Sequence, residues 1–392
     1  MIDKIATRDG YGKKLAELDN DNIIVLTADL AESSRVKAFA EKHPERFIQL
    51  GISEQDMFGI ANGLALEGKI PITNTFAAFC LRGYEQIRLI AINNSNVKII
   101  GHHSGISLGQ DGVSQMCEED ISAFRSMPNF TVIVPCDALE TQKALNSIIN
   151  KKGPCYLRLS REPSPIITNE YSEFEIGRAN ILKNGNDVLI VACGLMVSEA
   201  LRASNILSEK GINACVMNMH TIKPLDVDSL LIYANKCKAV VTVEEHSIYG
   251  GLGSAVVEAL SLSKIPVKIL GINDKFGESG KPYELFEKFG LTAENISEYC
   301  VDVLRFKEKS NMQNLNYKET KEYIKEIHDI LKEINNETSA ENREKEKPGK
   351  YNDKHNNNKY DSDPRGRIIK MSEKDKEKVN DVLYKMFGGR KN

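Results

Sequence analysis

The stretch GISEQDMFGIANGLALEG, residues 51–68, combines an amphipathic pattern with a carboxylate on its apolar face. Its apolar residues recur at spacings of three and four, which predicts a helix with one buried face. These residues are Met57, Ile60, Ala61 and Leu64. Glu54 heads the same face, and because a buried unpaired carboxylate is costly, its position calls for either a functional or a structural explanation. The structural alternative is a helix end, in which Ser53 and Asp56 form a capping box and Glu54 complements the helix dipole.

Other polar or aromatic residues follow segments that are predicted to be strands. They are Asp29 after NIIVLT, Thr75 and Phe76 after KIPITN, His102 and His103 after NVKIIG, Arg161 after PCYLRLS, and Asp111 in the next loop after the histidines. Ligands of an open parallel sheet bind beyond the carboxyl ends of its strands. Taken singly, each residue also fits a structural role, such as a helix cap for Asp29 or a turn for Asp111. Their shared position at one sheet edge favours a binding site.

The elements that must position these residues alternate between strand-like and helix-like patterns. Nine apolar runs bounded by turn residues are predicted strands: NIIVLTAD, KIPITNT, NVKIIGHH, FTVIVPCD, PCYLRLS, DVLIVACG, NACVMNM, AVVTVEE and PVKILGI. Alternation of this kind predicts an α/β fold of parallel sheets covered by helices on both faces. The polar, proline-rich stretch REPSPIITNEYSEFEIG separates two predicted domains, residues 1–165 and 176–306.

Residues 307–392 differ in composition, because they are rich in charged residues and poor in apolar ones. Such a segment buries too little apolar surface to offset the entropy of ordering, which predicts a largely disordered tail. Two segments of the tail, KETKEYIKEIHDILKEI and SEKDKEKVNDVLYKMF, show helical spacing of apolar residues. They are predicted to form short amphipathic helices.

The overall composition excludes several classes of function. A hydrophobic content of 41% supports sizeable cores, while a net charge of −3 disfavours nucleic acid as the main partner. The sequence shows no signal peptide or membrane-spanning run, so a cytoplasmic location without membrane attachment is expected. The eight cysteines lack a CxxC pair, which disfavours disulfide and zinc frameworks. The adjacent histidines, 102 and 103, should diverge in an extended strand, and no metal site is expected in this chain.

Four motifs occur in an order that resembles the carboxyl-terminal half of a transketolase. They are GISEQDMFGIANGLA, TFAAFCLRGYEQIR, GHHSGISLGQDGVSQMCEEDISAFRSMPN and YLRLSRE. The resemblance covers about residues 1–306 and implies a pyrimidine-binding domain followed by a transketolase carboxyl-terminal domain. A GDG motif with a downstream Asn-Asn pair, which binds magnesium and diphosphate in thiamine enzymes, is missing from the sequence. The resemblance therefore implies a split transketolase whose diphosphate-binding half is a separate amino-terminal subunit, in an α2β2 heterotetramer.

The cofactors implied by the resemblance are thiamine diphosphate and Mg²⁺, with the metal ligands on the partner subunit. Glu54 matches the family's catalytic glutamate, which contacts N1′ of the aminopyrimidine across a subunit interface. Phe79 matches the aromatic residue that stacks on the pyrimidine ring. The other positions assigned to the cofactor are Phe76, Asp29, Arg82 and Gln115.

The activity implied is transfer of a two-carbon ketol unit from a ketose phosphate to an aldose phosphate, in the pentose phosphate pathway. The residues that match the sugar-phosphate site are Arg8, Ser33, His103 and Arg161, and His103 is also assigned a catalytic role. Asp111 matches the acid that reads the C2 hydroxyl of the substrate. Gln110 departs from the family pattern, because it replaces the usual glutamate of GEDG.

Other functions remain as alternatives. Related enzymes are the β subunit of a 2-oxo acid dehydrogenase and the synthase that makes deoxyxylulose phosphate. Arg8, Ser33, His103 and Asp111 together favour transketolase over both. A non-catalytic scaffold subunit is a further alternative, but a scaffold has no need of a catalytic glutamate and its stacked aromatic residue.

Overall fold

The computed structural model describes residues 3–344, 374, 376–378, 380 and 381. Its strands are β1 (Lys4–Ile5), β2 (Ile23–Thr27), β3 (Phe47–Gln49), β4 (Ile70–Phe76), β5 (Lys98–His102), β6 (Thr131–Ile133), β7 (Cys155–Arg158), β8 (Ser164–Pro165), β9 (Asn180–Lys183), β10 (Val188–Ala192), β11 (Ala214–Asn218), β12 (Thr221–Lys223), β13 (Val240–Ser247) and β14 (Val267–Ile272). Its helices are α1 (Thr7–Glu17), α2 (Lys37–Lys42), α3 (Glu54–Leu66), α4 (Ala77–Cys80), α5 (Tyr84–Ile92), α6 (Asp120–Ser126), α7 (Ala138–Asn150), α8 (Met196–Glu209), α9 (Val227–Cys237), α10 (Leu252–Ala259), α11 (Pro282–Phe289) and α12 (Ala293–Glu344). All nine predicted strand segments are strands.

Two parallel sheets form the centre of the compact unit that ends at Lys307. The first sheet has the order β12-β6-β7-β5-β4-β2-β3 and the second has the order β14-β13-β10-β11-β9. Strands β5 and β10 are buried along their whole length, as expected for strands covered on both faces. The predicted α/β fold with two parallel sheets is confirmed. Two edge strands, β9 and β12, depart from it because they pair antiparallel with their neighbours.

Strand β12 belongs in sequence to the second half of the unit, yet it extends the first sheet. Thr221 lies opposite Ile133 of β6, and Lys223 lies opposite Val132. The Lys223 ammonium also donates to the backbone carbonyl of Arg125, at 2.9 Å. The two sheets are therefore joined by backbone pairing as well as by packed side chains.

Helix α3 forms as predicted, but it buries only part of the predicted face, and its start requires a different interpretation. Met57 and Ala61 are fully buried, whereas Ile60 is 36% exposed. The predicted Ser53 cap is wrong, because the Ser53 hydroxyl donates to the carbonyl of Leu50 at 2.8 Å and caps no helical N–H. The hydroxyl is satisfied by the preceding turn, so the capping-box interpretation of Glu54 loses its main support.

Helix α12 extends from Ala293 to Glu344 and includes the first amphipathic segment, residues 318–334. That segment is thus part of a longer helix instead of a separate short one. Within the second segment, residues 372–387, the described positions 374, 376–378, 380 and 381 are helical, and its other positions lie outside the described residues. No helix in the described part of the chain is long and apolar enough to cross a membrane.

Candidate active site

The site begins where two neighbouring parallel strands end. Strands β4 and β5 pair in a register that sets Phe76 beside His102, so the next residue, His103, leaves the sheet next to Phe76. His103 adopts a left-handed backbone conformation with φ of 58°. The ring centroids of Phe76 and His103 lie 3.9 Å apart with the planes 27° from parallel. Phe79, three residues after Phe76, also stacks on the Phe76 ring, with the two centroids 5.3 Å apart.

Arg82 contacts both the aromatic stack and Glu54, and so connects the two. The guanidinium carbon of Arg82 lies 4.5 Å from the centre of the Phe79 ring, a cation–π arrangement. Arg82 Nη1 lies 3.6 Å from Glu54 Oε2, and the Glu54 side chain is only 4% exposed. Among the described residues no side-chain hydrogen bond satisfies this carboxylate. A buried acid held only by a half-exposed arginine is a candidate for binding a polar ligand atom.

Arg8 contacts the His103 end of the aromatic stack. Arg8 Nη1 donates to His103 Nε2 at 2.9 Å and to the carbonyl of Ser33 at 3.2 Å. Because a guanidinium cannot accept, Nε2 is the acceptor and the imidazole proton is assigned to Nδ1. Burial, with the charge of Arg8 and the neighbouring His102, lowers the pKa of His103 to about 2. His103 is therefore neutral at physiological pH, and its buried Nδ1–H has no partner among the described residues.

Arg161 and Asp111 form a second pair at the same edge. Arg161 Nη1 lies 3.2 Å from Asp111 Oδ1 and donates to the carbonyl of Leu108 at 3.2 Å. The residue before Arg161, Ser160, is fixed by its backbone N–H, which donates to Thr7 Oγ1 at 2.8 Å. Burial lowers the pKa of Arg8, and the positive charges of Arg35 and Arg161 lower it further. Cations that destabilise one another in this way favour the binding of an anion between them.

Two of the candidates do not join this network. Asp29 is exposed, and its backbone N–H donates to Gln49 Oε1 at 2.9 Å. Gln115 is half-buried in the loop that carries Asp111. Within the described residues, no hydrogen bond or ion pair links either side chain to the other candidates. The structure thus connects Glu54, Arg82, Phe79, Phe76, His103, Arg8 and Ser33 in one continuous series, with Arg161 and Asp111 beside it.

A polar cluster beneath the site was not found from the sequence. Asn74 of β4 accepts from the hydroxyl of Tyr11 at 2.6 Å and contacts His102 Nε2 at 3.2 Å through the same oxygen. Burial lowers the pKa of His102 to about 3, so this histidine is a neutral core residue. The two histidines contact different partners, although His103 leaves the strand in a left-handed conformation instead of the extended one assumed in the prediction. An asparagine within the otherwise apolar and threonine-rich run IPITNTF was the signal that could have identified the cluster.

The donor set fits a flat aromatic cofactor better than a metal. A buried carboxylate and a stack of aromatic rings can hold a heteroaromatic ring by hydrogen bonding and stacking. In the described part of the chain, no group of three or more His, Cys, Asp or Glu residues could hold a metal ion.

Comparison with known proteins agrees with the geometry. Residues 3–165 match the family model "Transketolase, pyrimidine binding domain", and residues 177–296 match "Transketolase, C-terminal domain". A putative transketolase C-terminal section from Methanocaldococcus jannaschii is 45% identical over 307 residues, which cover 76% of this chain and 96% of the relative. Human transketolase is 41% identical over 303 residues, which cover 76% of this chain and 48% of the human protein.

A solved structure described as a split gene transketolase, inactive beta4 tetramer, superimposes with a TM-score of 0.72 at 44% identity. The match covers 77% of this chain and 99% of that one. Fold and matched domains together define an α/β protein built from two consecutive transketolase-type domains. More specifically, the chain belongs to the transketolase family, whose members generally use thiamine diphosphate and a divalent metal.

Proposed function

We propose that this chain is the carboxyl-terminal subunit of a split transketolase. In this role it moves a two-carbon ketol unit from a ketose phosphate to an aldose phosphate, and it acts only with an amino-terminal partner. The observation that carries the proposal is the continuous series of contacts from Glu54 through the aromatic stack to His103 and Arg8. That series joins an acid suited to a cofactor ring to a cationic pocket suited to a phosphate.

Thiamine diphosphate, when bound, supplies the nucleophilic carbon that takes up the two-carbon unit. Glu54 would hold a proton at the pyrimidine ring nitrogen, and Arg82 would keep the carboxylate oriented. Phe79, with Phe76 behind it, would stack on the pyrimidine ring. Asp29, Gln115 and the Arg82 guanidinium would line the cofactor side of the site. Mg²⁺ would be bound by ligands on the partner subunit.

The substrate side is formed by cations and neutral donors. Arg8 and Arg161 suit the oxygen geometry of a phosphate, and the Nδ1–H of His103 adds a neutral donor for a substrate oxygen. Ser33 lies within the same group through its carbonyl contact with Arg8. Asp111 forms an ion pair with Arg161 and would accept from the C2 hydroxyl of the substrate.

The surface beside Glu54 supports association with another subunit. Helices α3 and α5, with the chain before them, carry exposed apolar side chains: Ile52, Ile60, Leu66, Tyr84, Leu89 and Ile92. Gly59 and Gly63 leave open space on the same exposed part of α3. Apolar surface of this kind marks a protein interface, and Glu54 at its border could reach a cofactor bound by the opposite subunit. An α2β2 assembly satisfies both features.

The test is reconstitution. The purified chain alone should bind thiamine diphosphate weakly and should not transfer ketol units. Mixing it with an amino-terminal subunit that contains the GDG and Asn-Asn motifs should restore both, and light scattering should give the mass of an α2β2 complex. Full activity of the single polypeptide would contradict the proposal.

A further inference from the structure

The loop that carries Asp111 has little regular structure of its own. This substrate loop, defined here as residues 105–118, contains one short 3₁₀ turn, Ile106–Leu108. Three glycines in it, at positions 105, 109 and 112, have positive φ angles of 75°, 88° and 80°. Such backbone is flexible unless contacts from outside hold it. The position of Asp111 therefore depends on contacts with the surrounding chain as well as on the turns within the loop.

Strand β13 of the second sheet holds both ends of the substrate loop. At the beginning of the loop, the N–H of Ser107 donates to Glu245 Oε1 at 2.6 Å. At its end, the N–H of Ser247 donates to the carbonyl of Glu118 at 2.7 Å. A side chain at position 105 would collide with the Glu245 carboxylate, so Gly105 permits this close approach.

The segment between β14 and α11 holds the middle of the loop and adds a second contact at its end. Ser279 Oγ donates to the carbonyl of Gln110 at 2.6 Å, one residue before Asp111. The N–H of Gly277 donates to Glu118 Oε1 at 2.9 Å. A Cβ added to Gly277 would lie 2.5 Å from Met116 Sδ and 2.7 Å from Glu118 Oε1, so a side chain at this position would force both groups to move. Residues 277–279 therefore lie directly on the substrate loop.

We propose that the 277–279 segment of the carboxyl-terminal domain positions Asp111 for the substrate hydroxyl, with Ser279 and Glu118 as the positioning residues. The inference rests on the proposed function, because it assigns a task within that same site to a domain that supplies none of the candidate site residues. The Ser279 contact uses the backbone carbonyl of Gln110, which is the same for glutamine and glutamate.

The experiment uses the assembled enzyme and compares two acceptors, ribose 5-phosphate and 2-deoxyribose 5-phosphate. They differ only in the C2 hydroxyl that Asp111 is expected to bind. The kcat/KM for ribose 5-phosphate divided by that for 2-deoxyribose 5-phosphate therefore reports the placement of Asp111. Ser279→Ala should lower this ratio about three- to tenfold, the effect of losing one neutral hydrogen bond. Ser279 is exposed, so the variant should keep the Tm of the unmodified enzyme. A loss of stability alone would reduce both acceptors equally and leave the ratio unchanged.

Four further variants complete the design. Ser279→Thr keeps the hydroxyl and should retain the ratio. Glu118→Gln keeps an acceptor for Gly277 and should also retain it, whereas Glu118→Leu should lower it. Ser126→Ala is the matched control, because the exposed Ser126 hydroxyl donates to the Ala123 carbonyl at 2.9 Å within α6.

The outcomes separate the two proposals. If the unmodified enzyme prefers ribose 5-phosphate and both Ser279→Ala and Glu118→Leu keep the same preference, the role of the 277–279 segment is overturned. The proposed function would be unaffected by that result. An unmodified assembled enzyme without ketol transfer would overturn the proposed function, and the positioning role would fall with it.

Discussion

Arg161→Ala separates a ligand-binding role of the arginine from a structural one. The Arg161 and Asp111 side chains are 36% and 35% exposed, and an ion pair at such a surface is worth about 0–1 kcal/mol to the fold. A charged hydrogen bond to a bound phosphate is worth about 1.5–3 kcal/mol, which corresponds to roughly a ten- to hundredfold change in binding. The substitution should therefore leave the Tm almost unchanged and raise KM for xylulose 5-phosphate and ribose 5-phosphate by that factor. Because phosphate is remote from the reacting carbons, kcat should change little.

The assay is steady-state ketol transfer by the assembled enzyme, with hydroxypyruvate as an unphosphorylated donor for comparison. KM for hydroxypyruvate should hardly change, since this donor has no phosphate for Arg161 to bind. Arg305→Ala is the control, because Arg305 also forms an exposed pair with an aspartate, Asp302, but on α12. Equal losses for phosphorylated and unphosphorylated donors would refute the reasoning and assign Arg161 to the support of the loop through Leu108 and Asp111.

Three further predictions follow from the acid at the head of α3, the tail and a buried glutamate. Glu54→Gln should leave assembly intact but slow exchange of the cofactor C2 proton, followed by NMR, by orders of magnitude; unchanged exchange would make Glu54 a structural residue. Truncation after residue 310 should keep activity of the assembled enzyme within a few-fold, and loss of assembly would show that the tail belongs to the working fold. Glu140 accepts from the Cys136 N–H and the Asn218 amide, and burial raises its pKa from 4.5 to about 7, so it destabilises the fold as pH rises through that range. Urea unfolding should therefore show that the free energy of unfolding of Glu140→Gln, relative to that of the unmodified chain, increases by about 1–3 kcal/mol between pH 5 and pH 8. A difference between the two proteins that does not change with pH would contradict the raised pKa of Glu140.

The sequence predicted the strands well because their signal is local. An uninterrupted apolar run such as residues 188–192 can bury all of its side chains only in a strand or helix that is covered on every side. Its short length favours the strand. Strand β12 has three residues and no apolar pattern of its own, and it exists because the edge of β6 is available to pair with it. Its presence depends on tertiary structure and could not be predicted from local pattern.

The sequence brought together only part of the candidate site, because it indicates strand order better than the packing between elements. The register of parallel strands brings Phe76 and His103 to one edge, so their proximity follows from the predicted topology. The contact between Arg82 and Glu54 depends on how α3 packs against the turn before α5, where Gly83 fits against Phe58. No spacing rule relates residues 28 positions apart on different elements, which is why the sequence alone did not pair them.

The pairing of β12 with β6 bears on how this chain can be divided in the laboratory. An excised first domain, ending near residue 165, would leave the backbone N–H and C=O groups of β6 without the partner that Thr221 and Lys223 provide. An uncovered strand edge is a template for pairing with other chains, so such a fragment should aggregate. Residues up to Lys307 should instead unfold in a single cooperative transition. Expression of the two domains as separate chains divided near residue 165 should therefore fail, although the sequence pattern places a domain boundary there.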